Sequence, residues 1–588
     1  MKCDNCDSSV ESLIEREAVA FKKNQAKLEK GLIKICETCR NCFDRRNEFS
    51  QKILNSSNNK RLIVAGPGTG KTHTFKSALE KKSNGVAAVF TLINNLATDL
   101  QGELSQFGED VKINTFHGFC KSLLHSSVPP SGINHNFYYY PKLPTLIEQD
   151  SSFFDLNFNS KQIQQSFADI DEQNGVIKFY LDSSAYYNSV SHNDSVYRVY
   201  KYYLENKNSI PSYALVIADE YQDFNSLEAG FIDLLSSKNN ILIAGDDDQS
   251  LYLFRSASNK FIRKLHKDEN FEHFELPYCS RCTPAIVEST NHLIKTAKNA
   301  GHLQERIEKE FSCYWPDKHE EDKLYPVIYH AECSKLNTAL EYIYQRILAL
   351  FKEEEQILKS SKDIQFLIIG PESGFHIKKI KEYLETRLDL NQFKIQTPSK
   401  DVQEISIEEG YKIIKDGRNK NLGWRIVLYC EPVKDLKEII KKALTEKVDL
   451  ETLLPKDYTK KHLSIIESST KEEAVAVEEP EENKIIIKLT NFYGSKGLSA
   501  LHTFVIGVSD YTFPVDPKNI TDDEICKFLV ALTRAKRSCV LVTHSSFDGK
   551  NKRLVSYKSS FIQMLPTNRL EKKIYKMSEN KLVIQSSQ

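Results

Sequence analysis

The fold is decided by the stretch Leu62-Ile63-Val64-Ala65-Gly66-Pro67-Gly68-Thr69-Gly70-Lys71-Thr72, in which an apolar strand leads into a glycine-rich turn and a Lys-Thr pair opens a helix. Glycines let backbone N–H groups converge on phosphate oxygens, and the helix N-terminus adds its positive dipole end. We expect Lys71 to reach the β- and γ-phosphates and the Thr72 hydroxyl to hold Mg²⁺. The sequence therefore predicts a phosphate-binding loop formed by Ala65, Gly66, Pro67, Gly68, Thr69, Gly70, Lys71 and Thr72.

Composition limits the classes of protein without naming a partner. A chain of 588 residues predicts three or four domains. Lys plus Arg and Asp plus Glu both total 80, so any nucleic-acid-binding surface has to be local. Since neither a signal-like segment nor an apolar run of membrane length occurs, we expect a soluble, cytoplasmic protein without a membrane partner. The 13 cysteines fit that compartment as thiols or metal ligands.

Further apolar runs that end in polar residues follow the phosphate-binding loop. They lie at 86–90, 112–114, 215–218 and 241–244. Such runs, separated by helical segments, are typical of a parallel sheet in an α/β fold, which binds ligands at the carboxyl ends of its strands.

The pair Asp219-Glu220 directly follows the run 215–218. ATP hydrolysis needs one carboxylate that anchors Mg²⁺ and a second that orients and deprotonates the attacking water. A solvated Asp-Glu pair is the alternative, but the apolar strand before it favours the catalytic interpretation. Gln249, which follows the run 241–244, is expected to contact the γ-phosphate or the attacking water.

The order of the motifs resembles that of the UvrD/Rep-like family of superfamily 1 DNA helicases. The segments that carry the resemblance are Thr115-Phe116-His117-Gly118-Phe119 (family TFHGF), Asp219-Glu220-Tyr221-Gln222-Asp223 (DEFQD), 245–252 with Phe254-Arg255 (GDDDQSIYGWR), Tyr278-Cys279-Ser280-Arg281 (NYR), 494–498 (SAKGL) and 532–535 (VTRA). The resemblance implies two RecA-like domains with ATP between them. It also implies 3′-to-5′ movement on single-stranded DNA, with single/double-strand junctions as a further substrate.

The resemblance also implies roles for single residues. The first domain would supply the catalytic residues Lys71, Asp219, Glu220 and Gln249. The second domain would supply Arg281 and Arg534, which stabilise the charge of the transferring phosphoryl group. Further nucleotide contacts would come from Gln51 and Gly497, and DNA contacts from Asn94, Thr115, His117, Tyr252, Phe254, Arg255 and Lys496. The chain departs from the family at Ser280 and Ser499, where the family has an adenine-stacking tyrosine and a ribose-binding glutamate. We therefore expect weak discrimination among nucleotides.

The spacing of the motifs predicts the domain layout. The first RecA-like domain is expected at 47–119 and 206–270, and the second at 271–394 and 484–560. Residues 120–205 are predicted to form a helical insertion, and 395–483 a reduced second insertion that ends in an acidic linker. Residues 1–46 are expected to form a cysteine-rich module with a helical spacer over 10–34, and 561–588 a C-terminal tail.

The cysteine-rich module contains two C-x-x-C pairs, Cys3 with Cys6 and Cys36 with Cys39. This spacing predicts a tetrahedral Zn²⁺ site, for which Cys42 is an alternative ligand. An iron–sulfur cluster on Cys36, Cys39, Cys42 and one more thiolate is a second interpretation, and free thiols are a third. We expect the module to serve attachment or DNA contact, separately from nucleotide chemistry.

Two functional alternatives to a helicase stay open. One is an ATP-gated DNA sensor that regulates a partner, such as a nuclease, with little unwinding of its own. The other is a helicase–nuclease, but we find no convincing carboxylate-lysine nuclease motif, so a nuclease would be a separate subunit. The residues do not distinguish DNA repair from recombination or antiviral defence.

Overall fold

The computed structural model describes residues 3, 9–17, 32–91, 101–102, 104–128, 132–251, 258–313, 316–397, 405–468, 484–545, 558–579 and 581–585. Among the helices in these ranges, none combines the length and the apolar character needed to cross a membrane.

The strands are numbered in chain order. They are β1 (Ile14–Glu17), β2 (Leu32–Ile35), β3 (Lys60–Val64), β4 (Ala87–Thr91), β5 (Val111–Thr115), β6 (Tyr138–Tyr139), β7 (Ser189–Val190), β8 (Leu215–Ala218), β9 (Ile241–Gly245), β10 (Glu272–Glu275), β11 (Tyr278–Cys279), β12 (Ser312–Cys313), β13 (Ile328–Cys333), β14 (Ile364–Gly370), β15 (Phe393–Gln396), β16 (Ile485–Asn491), β17 (Ala500–Ile506), β18 (Ala535–Thr543), β19 (Leu570–Ser578) and β20 (Lys581–Gln585).

The helices are numbered in the same way. They are α1 (Glu37–Asn55), α2 (Lys71–Lys81), α3 (Phe116–Ser126), α4 (Leu143–Phe153), α5 (Ser160–Asp169), α6 (Val176–Tyr186), α7 (His192–Glu205), α8 (Ser226–Ser236), α9 (Lys260–His266), α10 (Pro284–Asn299), α11 (Pro316–Leu324), α12 (Leu336–Ser360), α13 (Phe375–Glu385), α14 (Ile407–Asp416), α15 (Lys420–Cys430), α16 (Leu436–Glu446), α17 (Leu450–Leu453), α18 (Lys456–Ser468), α19 (Asp522–Leu532) and α20 (Ser560–Gln563).

The first sheet has six parallel strands in the order β10-β3-β9-β8-β4-β5. Its central strands are buried on both faces, as Leu62 and Ile63 at 0% exposure illustrate. Strands covered by helices on both sides read as continuous apolar runs, which is why the sequence pattern identified them. The carboxyl ends of β3, β8 and β9 bring the phosphate-binding loop, Asp219 and Asp246 to one edge.

The second sheet has eight strands in the order β15-β16-β14-β17-β18-β13-β19-β20. All neighbours pair in parallel except β19 and β20, which pair in antiparallel. Two parallel sheets surrounded by helices confirm the predicted α/β class.

Three predicted boundaries are corrected by the pairing of strands. β10 pairs with β3, so the first domain continues beyond residue 270. β15 extends the second sheet to Gln396, beyond residue 394. The segment 561–588 is not a tail, because β19 pairs along the whole of β13 and carries β20 with it.

The two insertions pack into one helical body. Helices α4–α7 and α14–α18 contribute to the same apolar core. The Arg425 Nε atom of α15 donates to Asp150 Oδ1 of α4 at 2.8 Å, and the Tyr187 hydroxyl donates to Asp150 Oδ2 at 2.8 Å. The side chains of Arg425 and Asp150 are both 0% exposed, so the pair is buried between the insertions.

The N-terminal segment differs from its predicted helical spacer. β1 and β2 form an antiparallel pair in which Ile14 lies opposite Ile35. Residues 14–17 are one isoleucine followed by three charged residues, so the sequence carries no strand pattern there and the pairing with β2 defines the strand. Helix α1 then runs without a break across the predicted boundary at 46, from the cysteines into the first domain, where Ile53 is buried.

Candidate active site

The phosphate-binding loop connects β3 to α2, as predicted. Gly68 and Gly70 have left-handed φ values of +70° and +96°, which favour glycine. A Cβ atom on Gly66 would lie 2.7 Å from Phe311 Cδ2, and one on Gly68 would collide with Arg281. The Lys71 ammonium donates to the carbonyl oxygen of Ala65 at 3.2 Å, and Thr72 follows it in the first turn of α2. The loop therefore fits the phosphates of a nucleotide.

Asp219 and Glu220 lie at the carboxyl end of β8, next to this loop. Glu220 has a left-handed φ of +54°, and its N–H donates to Asp219 Oδ1 at 2.9 Å. Burial and then the neighbouring Glu220 raise the pKa of Asp219 to about 7, although Lys71 opposes the shift. Burial alone would raise the pKa of Glu220 as well, but Lys496 and Lys71 outweigh it and hold that pKa at about 2. Lys496 and Lys71 thus keep the Glu220 carboxylate charged, whereas burial favours the neutral form of Asp219.

Gln249 connects the two domains. Its Nε2 atom donates to Asp246 Oδ2 at 2.6 Å, and its Oε1 atom accepts from Arg534 Nη2 at 2.9 Å. Arg534 follows α19 in the second domain, and its Nε atom donates to the Val530 carbonyl oxygen at 3.0 Å. Burial, and then the charge of Arg281, lower the pKa of Arg534 to about 9. An anion bound near both guanidinium groups would relieve this repulsion.

Arg281 and Ser280 bring the second domain to the phosphate-binding loop. The Arg281 Cβ atom lies against Gly68. Ser280 donates to the Gly68 carbonyl oxygen twice, from its N–H and from its hydroxyl, each at 2.9 Å. Ser280 therefore hydrogen-bonds to the loop backbone at the position where the family has an adenine-stacking tyrosine.

Lys496 lies in the cleft and not on a DNA surface, which corrects its predicted role. It is 5% exposed, and its ammonium donates to the Gln249 carbonyl oxygen at 2.9 Å. It also lies 3.4 Å from Glu220 Oε2 and pairs with Asp223. Buried carboxylates need a cation, and Lys496 of the second domain supplies it to the first. Gly497 follows with a left-handed φ of +78°.

Gln51, which is predicted to contact the nucleotide, hydrogen-bonds to side chains of α1 and α2. Its Oε1 atom accepts from Lys81 Nζ at 3.3 Å, and its Nε2 atom donates to Asn47 at 3.5 Å. Lys81 ends α2, the helix that Lys71 begins. A rise of 1.5 Å per residue separates these two ends by about 15 Å.

An ion cluster that no sequence motif predicts lies between the domains. The ammonium of Lys309 lies 2.9 Å from Asp246 Oδ1, 2.9 Å from Asp247 Oδ1 and 2.7 Å from Asp248 Oδ2. Arg306 Nε donates to Asp248 Oδ1 at 2.8 Å. Arg306 and Lys309 lie in the segment between α10 and β12, which contains no recognisable motif. Only the fold brings these two cations to the aspartates.

Comparisons with known proteins agree with this geometry. The family model of the UvrD/REP helicase N-terminal domain matches residues 46–210 and 151–270. The ATP-dependent DNA helicase Rep of Buchnera aphidicola is 24% identical over 84% of this chain and 91% of that protein. The probable DNA helicase II homolog of Mycoplasma genitalium is 23% identical over 84% of each chain. The ATP-dependent DNA helicase PcrA of Staphylococcus aureus is 23% identical over 85% of this chain and 83% of that protein.

Over most of its length, the chain is similar to the UvrD/Rep-like helicases. In this UvrD/Rep-like protein, two of the residues predicted to contact DNA have structural partners. Thr115 caps α3, since its hydroxyl accepts from the Gly118 N–H at 3.2 Å. His117 is buried, and its Nε2 atom lies 3.8 Å from Glu228 Oε1. Asn94, Tyr252, Phe254 and Arg255 lie outside the described residues.

The N-terminal cysteines of this UvrD/Rep-like protein precede the family match, which begins at residue 46. Cys3, Cys36 and Cys39 are buried, and their sulfur atoms all lie within 4.8 Å of one another. The Cys3 and Cys39 sulfurs are 3.7 Å apart, too far for a disulfide, and the Cys36 N–H donates to Cys3 Sγ at 3.2 Å. Cys42 is buried one turn further along α1, outside this group, and Cys6 lies outside the described residues.

Proposed function

We propose that this protein is an ATP-dependent DNA helicase that moves 3′ to 5′ along single-stranded DNA and acts at single/double-strand junctions. The observation that carries the proposal is the hydrogen bond from Arg534 of the second domain to Gln249 of the first, at 2.9 Å. A nucleotide bound at the loop would contact both domains, so hydrolysis would change how they fit together. That coupling is what a translocating motor requires.

The chain's residues divide the work of hydrolysis. Lys71 neutralises the phosphates, and Thr72 with Asp219 would hold Mg²⁺, which supplies further positive charge. Glu220 stays charged beside Lys496 and accepts a hydrogen bond from the attacking water. Arg281 and Arg534 stabilise the negative charge that develops on the transferring group.

The test measures ATP turnover and strand displacement on the same protein. Lys71→Ala and Glu220→Gln should each abolish DNA-stimulated turnover, and Glu220→Gln should still bind nucleotide. Glu205→Gln, an exposed carboxylate at the end of α7, is the matched control and should behave as wild type. Duplexes with a 3′ or a 5′ single-stranded tail report the direction. Normal turnover in Glu220→Gln would refute its role, and displacement from 5′ tails alone would refute the direction.

A second function, an ATP-gated DNA sensor that regulates a partner such as a nuclease, is favoured by the contacts between the insertions. The Tyr186 hydroxyl donates to the Val448 carbonyl oxygen at 2.6 Å, and Lys142 pairs with Glu409 at 2.5 Å. These contacts tie together helices from both halves of the chain and restrict their separation. DNA-stimulated turnover without strand displacement would favour this function over the first.

We also propose that Cys3, Cys36 and Cys39 hold one Zn²⁺ ion as thiolates. Zn–S bonds of 2.3 Å at tetrahedral angles place two sulfurs about 3.8 Å apart. The observed distance of 3.7 Å between Cys3 and Cys39 fits that value. Cys39 lies in the first turn of α1, where the helix dipole favours a thiolate.

Metal analysis of the purified chain tests the zinc site. We expect about one zinc per chain, lost in a variant with Cys3→Ser and Cys36→Ser and kept in Cys430→Ser. Cys6→Ser and Cys42→Ser, measured in parallel, identify the fourth ligand. A chain without metal, or with an iron chromophore, would contradict the proposal.

A further inference from the structure

Helix α1 connects the cysteine group, formed by Cys3, Cys36 and Cys39, to the phosphate-binding loop. Cys39, Arg46, Ser50 and Ile53 follow one another at spacings of 7, 4 and 3 residues, which places them on one face of the helix. Cys39 belongs to the cysteine group, and Ile53 is buried in the core of the first domain. Between them, Ser50 Oγ lies 3.4 Å from Thr74 Oγ1 of α2. The face of α1 that begins at the cysteines therefore lies along the start of α2.

Arg46 lies over the last glycine of the loop. A Cβ atom built on Gly70 would lie 3.0 Å from Arg46 Cζ and 3.2 Å from its Nε. Burial lowers the pKa of this guanidinium. Burial and then the charge of Arg46 lower the pKa of His73, in the first turn of α2, to about 4. The charge of Arg46 thus acts at the same end of α2 as Lys71.

Arg46 places a guanidinium beside the N-terminus of α2. The N-terminus of a helix carries a partial positive charge, so a cation there is normally destabilising. A second cation, Lys71, begins the same helix. A guanidinium forms two parallel hydrogen bonds to a phosphate, and each is strengthened where water is excluded.

We infer that Arg46 binds the phosphates of the nucleotide. The start of α1, which the cysteine group holds in place, positions it. The inference rests on the proposed binding of ATP at the loop. It makes the cysteine module a part of the nucleotide site, in contrast to the separate role expected from the sequence. Removal of residues 1–42 would cut α1 within its second turn and should weaken nucleotide binding.

The experiment measures the Kd of a fluorescent ATP analogue on the full chain by equilibrium titration. Arg46→Gln should raise Kd about tenfold, and Arg46→Lys should recover part of the affinity. In steady state the loss should appear in KM with kcat nearly unchanged. Arg45→Gln, the exposed neighbour on α1, is the matched control and should bind as wild type. An unchanged or lowered Kd in Arg46→Gln would overturn the inference.

Two further measurements separate the possible failures. Cys39→Ser should raise Kd to a similar extent, and adding Arg46→Gln to it should cause little further loss, because both act through one contact. Removal of metal with a chelator should have the same effect, and zinc should reverse it. Additive losses would overturn the link between the cysteines and Arg46.

Lys71→Ala is measured beside them. Normal nucleotide binding in Lys71→Ala would refute the nucleotide site itself, whereas normal binding in the Arg46 variants alone would refute only the role of Arg46.

Discussion

Replacing Lys309 by methionine should destabilise the contact between the two RecA-like domains. The ammonium of Lys309 is buried against Asp246, Asp247 and Asp248. Its charge, set against the effect of burial, holds the pKa of Asp246 below the usual range. Removing one partner of a buried ion pair costs about 3–5 kcal/mol, because the other charge stays behind. At about 2–4 °C per kcal/mol for a domain of this size, Tm should fall by about 6–20 °C.

The loss should depend on pH in a defined direction. Without Lys309 we expect the pKa of Asp246 to rise and that of Asp248, already raised by burial, to rise further, so the folded variant binds protons more tightly than the unfolded chain does. The deficit is therefore largest above those raised values and shrinks as pH falls towards about 4, where the unfolded carboxylates also become protonated.

Thermal and denaturant unfolding of Lys309→Met at pH 8 and pH 5 test this reasoning. Lys323→Met is the matched control, since Lys323 pairs with Glu320 at 2.8 Å and the two side chains are 70% and 51% exposed. Exposed pairs contribute at most about 1 kcal/mol. A Lys309 variant that unfolds like the control, or whose deficit grows on acidification, would refute the role of the cluster.

Three other predictions concern the cleft. Lys496→Met should lower ATP turnover at least about a hundredfold. Its affinity for single-stranded DNA, measured by fluorescence anisotropy, should stay within about twofold of wild type. Normal turnover with weakened DNA binding would show instead that Lys496 contacts DNA. Because the pKa of Asp219 is raised to about 7, Mg²⁺–ATP should bind more weakly as pH falls from 8 to 6 and should release a proton, which calorimetry in buffers of different ionisation enthalpy detects; pH-independent binding would count against it. Since Ser280 binds the Gly68 carbonyl oxygen, KM for ATP and GTP should differ by less than about tenfold, and a strong preference for ATP would show that other residues read the base.

The parts of the site that the sequence predicts are encoded locally. A strand, a turn that requires glycine and a helix start are adjacent in the chain, so Lys71 and Asp219 could be placed from their immediate neighbours. The cations of the cleft could not. Lys496 and Asp223 are separated by 273 positions, and Lys309 pairs with an aspartate loop from another domain. The partners in such pairs have no periodic or fixed spacing in the sequence. Only the packing of the two domains determines which residues meet.

Misplaced boundaries have the same physical origin. Strands β19 and β20 are half-exposed and rich in lysine, so their composition resembles that of a solvated segment. The pairing of β19 with β13, and of β20 with β19, defines them as strands, and the partner β13 is distant in sequence. The motifs place the start of the first domain inside α1, because they begin after that helix, whereas the helix itself extends back to the cysteines.

The position of β13 between β18 and β19 constrains how this protein is made. A ribosome produces β13 well before it produces β18, and β19 only after that. Until then, both edges of β13 present unpaired N–H and C=O groups, which are templates for association with other chains. The second domain therefore completes its sheet late in synthesis, and a nascent chain stopped before residue 570 carries an open edge. Chaperone protection during translation, or translation slow enough for the first domain to fold beforehand, would favour a high yield of the native protein.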